Sequence, residues 1–332
     1  MTTYYITGIT GHLGRNLVKV ISSLPFTKIV GLVLTNDNSP KFDEEVTLVE
    51  GNILDFNSLD KFLNTERSDT NYLIHCAGLI STVKKDADKI YKINVDGTKN
   101  VLDRAIANKI DKFVYVSSVD AIKKPPIGEP VVEPDGFNPD DVIGAYGKSK
   151  AIAASYVLSK KEEIHVMSVH PSAMLGPNDY FKGPINDTFV SFMKGRLKVI
   201  PTGAYDLVDV RDVAQGIVYS LDTGKNGECY ILSGHFYKVK DMINNFSEAS
   251  GKGSYWFILP AKFVKVFIYI YEGFMAIIRK KPKLAAYSID CLLQNCRYNS
   301  NKAHTDFGYI AREGKETFKD TLEWIKEVKW IK

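Results

Sequence analysis

Short apolar runs alternate with amphipathic stretches through the first half of the chain. Tyr4-Tyr5-Ile6 is a β-rich run, followed at once by the glycine-rich Thr7–Gly14 and then by Leu17, Val18 and Ile21 at helical spacing. Lys28–Leu34 predicts a second strand, Val46–Val49 a third, Tyr72–Gly78 a fourth and Phe113–Val116 a fifth. The fourth is nearly continuous in apolar residues, as a strand covered on both faces should be. Helical segments separate them near Ser58–Asn64 and Asn94–Asn108, and another runs from Tyr146 through Leu158. Strands alternating with helices predict an α/β fold with a doubly wound parallel sheet and ligands at the carboxyl ends of its strands. Gly8–Gly14, Asn52, Ala77-Gly78 and Ser117-Ser118 all fall at such ends.

After Met174-Leu175-Gly176-Pro177 the alternation breaks down into loops rich in Gly, Pro and aromatics, through Tyr205. Glu228–Leu232 reads as one more strand returning to the sheet, and from Lys238 onward the pattern is mostly helical. The expected division is a dinucleotide-binding unit of residues 1–170 and 206–235, with 171–205 and 236–332 forming a smaller, mostly helical substrate lobe over the carboxyl edge. Phe257–Ile278 is the most apolar stretch, but Lys262, Lys265 and Glu272 interrupt it, so it lacks the ~20 apolar residues of a bilayer span. Three readings of it stay open: a buried helix of the lobe, the aromatic wall of an apolar pocket, or an interfacial helix followed by the basic tract Arg279-Lys280-Lys281.

Composition adds exclusions. With 332 residues, 45% hydrophobic and a formal charge of only +4, the chain has ample core and no basic, aromatic-interleaved surface for nucleic acid. Cys76, Cys229, Cys291 and Cys296 form no pairing framework, and the six histidines have neither i, i+4 spacing nor cysteine partners, so no metal is expected. The opening residues carry no charged, apolar leader, which points to a cytoplasmic protein. A homodimer is left open.

The chemistry concentrates in two places. Strand, glycine loop and helix in immediate succession is the context in which glycines let a backbone approach a pyrophosphate, whose charge meets the free N–H groups of the helix start. Tyr146 and Lys150, four apart on one helix face, place a phenol beside an ammonium that favours its ionised form and so its exchange of a proton with a substrate oxygen. Beyond the glycines, Leu34 stands where an acid usually binds the NAD ribose. Asp37 could serve that ribose, while Thr35, Asn36 and Lys41 could surround the 2′-phosphate of NADP.

Taken together, the chain resembles the extended short-chain dehydrogenase/reductase family over essentially its whole length. The carriers are Thr7-Gly8-x-x-Gly11-x-x-Gly14, His75-Cys76-Ala77-Gly78, Asn94-Val95-Asp96-Gly97-Thr98, Ser118, Tyr146-x-x-x-Lys150, His170-Pro171-Ser172 and Val208–Ala214. The resemblance implies a Rossmann-type sheet and an NAD or NADP cofactor, with NAD slightly favoured. It implies Tyr146 as general acid/base, Lys150 as its electrostatic partner and nicotinamide-ribose ligand, Ser118 as the substrate-oxygen donor and Asn94 as a support for the lysine. The cofactor would lie along Gly8, Thr10, Gly11, His12, Leu13, Gly14, Thr35, Asn36, Asn52, Ile53, Ala77, Gly78, Lys150, Pro171 and Ser172. His170 departs from the arginine of many members, which argues against a nucleotide diphosphate there. Phe257–Ile278 and the run from Asn301-Lys302-Ala303 to Phe307-Gly308-Tyr309 are similar to the dihydroflavonol-reductase-like and 3β-hydroxysteroid-dehydrogenase-like branches. The implied activity is interconversion of an alcohol and a ketone on a bulky apolar molecule. A sugar-nucleotide epimerase or dehydratase with tightly held NAD is the alternative, and a non-catalytic nucleotide sensor would be expected to lack the tyrosine or lysine.

Overall fold

The computed structural model describes residues 1–81, 84–251, 257–278 and 286–331. The first half runs β1 (Thr2–Thr7), α1 (His12–Ser22), β2 (Thr27–Val33), β3 (Thr47–Glu50), α2 (Phe56–Asn64), β4 (Thr70–His75), α3 (Ala87–Tyr91), α4 (Gly97–Ala107), β5 (Lys112–Val116), α5 (Gly144–Ser159) and β6 (His165–Pro171). It continues through β7 (Ala173–Leu175), α6 (Pro184–Met193), β8 (Val199–Pro201), β9 (Ala204–Asp209), α7 (Val210–Thr223), β10 (Glu228–Leu232), β11 (His235–Lys238), α8 (Val239–Ser250), β12 (Phe257–Leu259), α9 (Ala261–Ile277), α10 (Ala286–Leu293), α11 (Asn301–Phe307) and α12 (Gly314–Glu327).

Seven parallel strands form the main sheet in the order β10-β6-β5-β4-β1-β2-β3. The chain winds outward from β1 to β3, then crosses back to lay β4 on the other side of β1, with Thr7 opposite both Leu32 and His75. That reversal opens a crevice between the carboxyl ends of β1 and β4, where a doubly wound sheet binds its ligand. Helices cover both faces, which is why the strands can be apolar on both sides. Leu17, Val18 and Ile21 of α1 pack with Val213 and Ile217 of α7 on one face. Leu59 and Phe62 of α2, Val101 and Leu102 of α4 and Val157 of α5 cover the other.

Strand β6 lies between β5 and β10 and is absent from the sequence expectation. Its apolar positions Val166, Met167 and Val169 are interrupted by Ser168 and His170, which hide the pattern. Both are fully buried, and the strand tolerates them because Ser168 Oγ and His170 Nε2 are hydrogen-bonded at 3.0 Å.

The lobe has its own core, built from Phe189 and Phe192 of α6, Met242 and Phe246 of α8, Ile268 of α9, Ile289 of α10 and Phe318, Leu322 and Ile325 of α12. A small three-stranded sheet, β11-β9-β7, lies beneath it. Within the stretch expected to belong to the lobe, Ala303 and Phe307 of α11, with Tyr309 after it, pack instead into the core of the main sheet. The Val208–Ala214 segment joins the two regions. The buried Asp209 side chain caps α7 by accepting the Arg211 N–H at 2.8 Å and also receives Thr317 Oγ1 of α12 at 2.8 Å. Arg211 reaches Asp320 of α12 at 2.7 Å, and Arg312 pairs with Asp212 at 2.8 Å.

Of the three readings of 257–278, the inner face of α9 meets the first, with Ala261 and Ile268 in the lobe core. Its outer face is bare. The basic tract Arg279-Lys280-Lys281 lies outside the described residues. Among the described residues no helix is long and apolar enough to cross a membrane, and no group of His, Cys, Asp and Glu could hold a metal ion.

Candidate active site

The glycine loop connects β1 to α1 at the switch point. Gly8 has a left-handed φ of 71°, and a Cβ there would stand 2.8 Å from the Ala77 nitrogen, so only glycine lets this loop meet the one after β4. Helix α1 starts after Gly11 with no side-chain cap, which leaves the N–H groups of its first turn, from His12 through Gly14, facing the crevice. Uncapped amides and an absent Cβ suit a pyrophosphate. His12 is held back from that space, its Nε2 3.0 Å from the Pro177 carbonyl. Leu13 turns into the core.

Past the end of β2, Asp37 turns toward the glycine loop. Thr10 Oγ1 donates to its Oδ2 at 3.0 Å, and the Ser39 N–H donates to Oδ1 at 2.8 Å. Burial works to raise this carboxyl, but those hydrogen bonds and the Arg15 charge outweigh it and hold it below the ordinary range. Arg15 has no counterpart in the sequence expectation. Its guanidinium lies between the rings of Phe42 and Tyr180, 4.5 and 4.7 Å away, and donates to the Pro40 carbonyl. Leu34, Thr35 and Asn36 are exposed. Asn52 is exposed at the end of β3, its side chain accepting from Leu54 N–H at 2.9 Å, while Ile53 is buried beneath it.

The catalytic candidates converge from three elements. Tyr146 and Lys150 share a face of α5. Lys150 is buried and donates to the Val116 carbonyl at 2.7 Å, with Nζ 4.8 Å from the Tyr115 ring centre. Burial draws its ammonium down to about 8, against the pull of the nearby Cys76. Asn94 sits in one wide π-helical turn, Lys92–Asp96. Its carboxamide does not reach Lys150. It accepts the Leu79 N–H at 2.7 Å and donates to the Leu79 carbonyl and to Ser149 Oγ, both at 3.0 Å. Ser149 in turn donates to the Tyr146 carbonyl at 2.7 Å, so Asn94 ties the loop carrying Gly78 to the catalytic helix.

The expectation that Lys150 lowers the Tyr146 pKa meets a different balance in this structure. Burial pushes the phenol well above its usual value, the charge of Asp120 pushes the same way, and the Ser118 hydroxyl pulls it back. Tyr146 is therefore a neutral phenol, a proton donor. Ser118 lies two residues past β5 and its Oγ accepts the Asp120 N–H at 3.1 Å. Its carbonyl is fixed by His170, whose Nδ1 lies 3.0 Å away and must carry the proton, since a carbonyl only accepts. Phe137 stacks on the His170 ring at 4.9 Å.

Ser118, Tyr146, Pro171 and Ser172 line a cavity of about 330 Å³ between sheet and lobe. Its walls include Ile80, Met174, Ile185, Tyr205 and Tyr287, and its carboxylates are Asp120, Asp179 and Asp206. No lysine or arginine is among the described residues that line it. Asp120 is missing from the sequence expectation, though its place two residues past Ser118 is a signal that could have found it. Tyr205, Tyr287 and Cys291 carry no such signal, because nothing local marks a residue that only the fold brings to the cleft.

Two buried imidazoles give the site a pH signature. His75 is held between Thr7 Oγ1 (2.7 Å) and Thr98 Oγ1 (2.9 Å). Burial depresses both His75 and His170 to about 3, with the Lys150 charge adding to it. As pH falls below ~6.5 the unfolded chain binds a proton on each ring and the folded chain does not, so stability falls with pH until the folded rings titrate near 3. The slope expected from the pair approaches about 2.7 kcal/mol per pH unit near pH 5. Urea unfolding across this range measures it, and His75→Gln should lower the slope by about 1.4 kcal/mol per pH unit. A variant slope equal to that of the wild type would contradict neutral burial of His75.

A crevice at the switch point opening onto a half-buried tyrosine and serine is the arrangement of the short-chain dehydrogenase/reductase class. A sequence model of the NAD dependent epimerase/dehydratase family matches residues 4–233, and the chain belongs to that family. It is similar to a Synechocystis sp. protein assigned as a dihydroflavonol 4-reductase, at 26% identity over 99% of this chain and 96% of the relative. It is 25% identical to sterol demethylase protein B of Methylococcus capsulatus, over 98% of this chain and 99% of that one. The solved structure of gox2253 superposes with a TM-score of 0.85 at 25% identity, covering 99% of each chain. The protein is thus an NAD-dependent oxidoreductase of the epimerase/dehydratase family.

Proposed function

We propose that the protein interconverts a secondary alcohol and a ketone on a bulky, uncharged, largely apolar molecule. The observation that carries this reading is that no lysine or arginine is among the described residues lining the cavity. A nucleoside diphosphate sugar entering it would bring two phosphate charges to a lining with three carboxyl groups and meet no lysine or arginine among the described lining residues. The apolar walls and tyrosine rings instead suit a fused-ring or aromatic ketone. His170, buried under Ser118 and committed to its carbonyl, supplies no cation to the cleft.

In this reading a nicotinamide held along the glycine loop and Lys150 would supply the hydride chemistry at the carbonyl carbon. The Ser118 hydroxyl donates to the substrate oxygen, and Tyr146, kept neutral by burial and by Asp120, gives that oxygen its proton as the alcohol forms. Lys150 holds the floor of the site through the Val116 carbonyl and offers its remaining donors to the ribose side. Asn94, acting through Ser149, keeps Tyr146 and the Gly78 loop in register. Asp37, drawn in by Thr10, favours the 2′-hydroxyl of NAD over a 2′-phosphate.

The test is steady-state kcat/KM for reduction of a panel of steroid and flavonoid ketones with NADH and NADPH. Turnover of such ketones with NADH preferred is expected. Asp37→Ala should move the cofactor ratio toward NADPH by about tenfold, the scale of one charged hydrogen-bonding contact. Protein that holds NAD through purification and converts a sugar nucleotide with no net change at 340 nm would overturn the reading.

A further inference from the structure

Helix α9 is apolar nearly all the way round, yet only half of it is covered. Ala261, Val264 and Ile268 pack into the lobe. On the opposite side Phe263, Val266, Phe267 and Ile270 recur at i, i+3, i+4 and i+7, exposed by 63, 56, 65 and 66%. Phe257 on the neighbouring β12, 61% exposed, and Val199 on β8 extend the surface. A shallow apolar groove lined by Val199, Leu259, Phe267 and Tyr271 crosses it. A helix hydrophobic on every side is ordinarily covered on every side, and an exposed apolar patch of this extent marks an interaction.

Charge identifies the partner. Residues 257–283 contain Lys262, Lys265, Arg279, Lys280, Lys281 and Lys283 against Glu272 alone, a net +5 in a chain whose total is +4. The remainder of the sequence is slightly acidic, so the excess positive charge is concentrated in the segment of sequence that carries the bare apolar stripe. Residues 279–283 lie outside the described residues, and Lys265 is paired with Asp290. Exposed Lys194 and Arg196, in the turn before β8, add to the rim. Pairing this face with a second copy would set like charges against each other. An anionic bilayer surface offers what the stripe and rim require together: acyl chains for Phe263, Phe267 and Ile270, and negative headgroups for the lysines.

We propose that α9 docks the protein onto an anionic lipid bilayer, lying in the plane of the interface with its outer stripe inserted. The 17-residue helix is too short to span and lies on the surface. Docking would also orient the cleft. Tyr287 and Gln294 line the catalytic cavity and also an adjoining groove of about 500 Å³ whose other wall is Tyr269 and Glu272 of α9, so the cavity entrance would stand beside the lipid. The proposal rests on this surface and not on the identity of the substrate.

Flotation of the full chain with vesicles of phosphatidylcholine alone, and of phosphatidylcholine with phosphatidylglycerol, tests it. The wild type should float with the anionic vesicles, less so as salt is raised, and remain behind with the neutral ones. The triple variant Phe263→Ser, Phe267→Ser, Ile270→Ser should lower the bound fraction at least ~10-fold with an unchanged thermal unfolding midpoint, because the replaced side chains face outward. Wild-type protein that ignores both vesicle types, or a triple variant that floats as well as the wild type, would overturn the proposal. So would a wild-type dimer that the variant converts to monomer without any flotation of either, since the stripe would then belong to a second copy.

Discussion

Replacing Tyr146 by Phe should lower kcat at least ~10²-fold while cofactor affinity and fold persist, the scale on which a positioned acid/base contributes. The phenol is the proton donor best placed at the polar end of the cavity. Burial and Asp120 keep it protonated, and Ser118 is its hydrogen-bonding neighbour. Phe keeps the ring and differs little from Tyr in helix propensity, so α5 stays formed and Lys150 keeps its bond to the Val116 carbonyl. Single-turnover reduction with prebound NADH separates the chemical step from binding. A variant as fast as the wild type would remove Tyr146 from the reaction and point to Asp120, the other acid at that end of the cleft.

The second large effect is expected at Gly11. Its φ of −72° suits any residue, and an added Cβ would meet only the Gly8 carbonyl, at 3.2 Å. Gly11→Val should therefore fold. The isopropyl group would nonetheless project at the start of α1, where the free N–H groups await a diphosphate, and NADH binding by calorimetry should weaken at least ~10²-fold, the loss of two charged hydrogen bonds. Gly14 makes the contrast. A Cβ there would lie 2.3 Å from the Gly8 carbonyl and 2.6 Å from the Ile9 Cα, so Gly14→Ala should fail by unfolding. An unchanged NADH dissociation constant for Gly11→Val would make the loop a structural turn only.

The sheet was legible where strand and helix signals are local. The β1, glycine loop, α1 succession and the apolar run of β4 announce themselves, because burial on both faces leaves few polar residues to confuse the pattern. Strand β6 was lost because its polar residues, Ser168 and His170, satisfy one another inside the core, and sequence carries no mark of that bond. Motif spacing singled out Tyr146 and Lys150, which lie on α5, and Ser118, which lies in the turn after β5. The resemblance implied Asn94 as a support for Lys150, and the wide turn at Lys92–Asp96 directs its carboxamide to Leu79 and Ser149. The cavity wall was illegible because Met174, Ile185, Tyr205 and Tyr287 come from separate segments that meet only in the folded lobe.

The route of the chain between sheet and lobe bears on how such a protein can change its substrate. The backbone leaves the sheet after β6, returns for α7 and β10, departs again into β11 and α8, comes back with α11 and ends on the lobe in α12, which Asp209 and Arg211 fasten to the start of α7. No single cut frees the lobe, so a gene fusion or exon exchange cannot trade it as a cassette. New specificity has to be acquired in place, by length and side-chain changes in the segments that frame the cleft, while the threading itself is inherited intact.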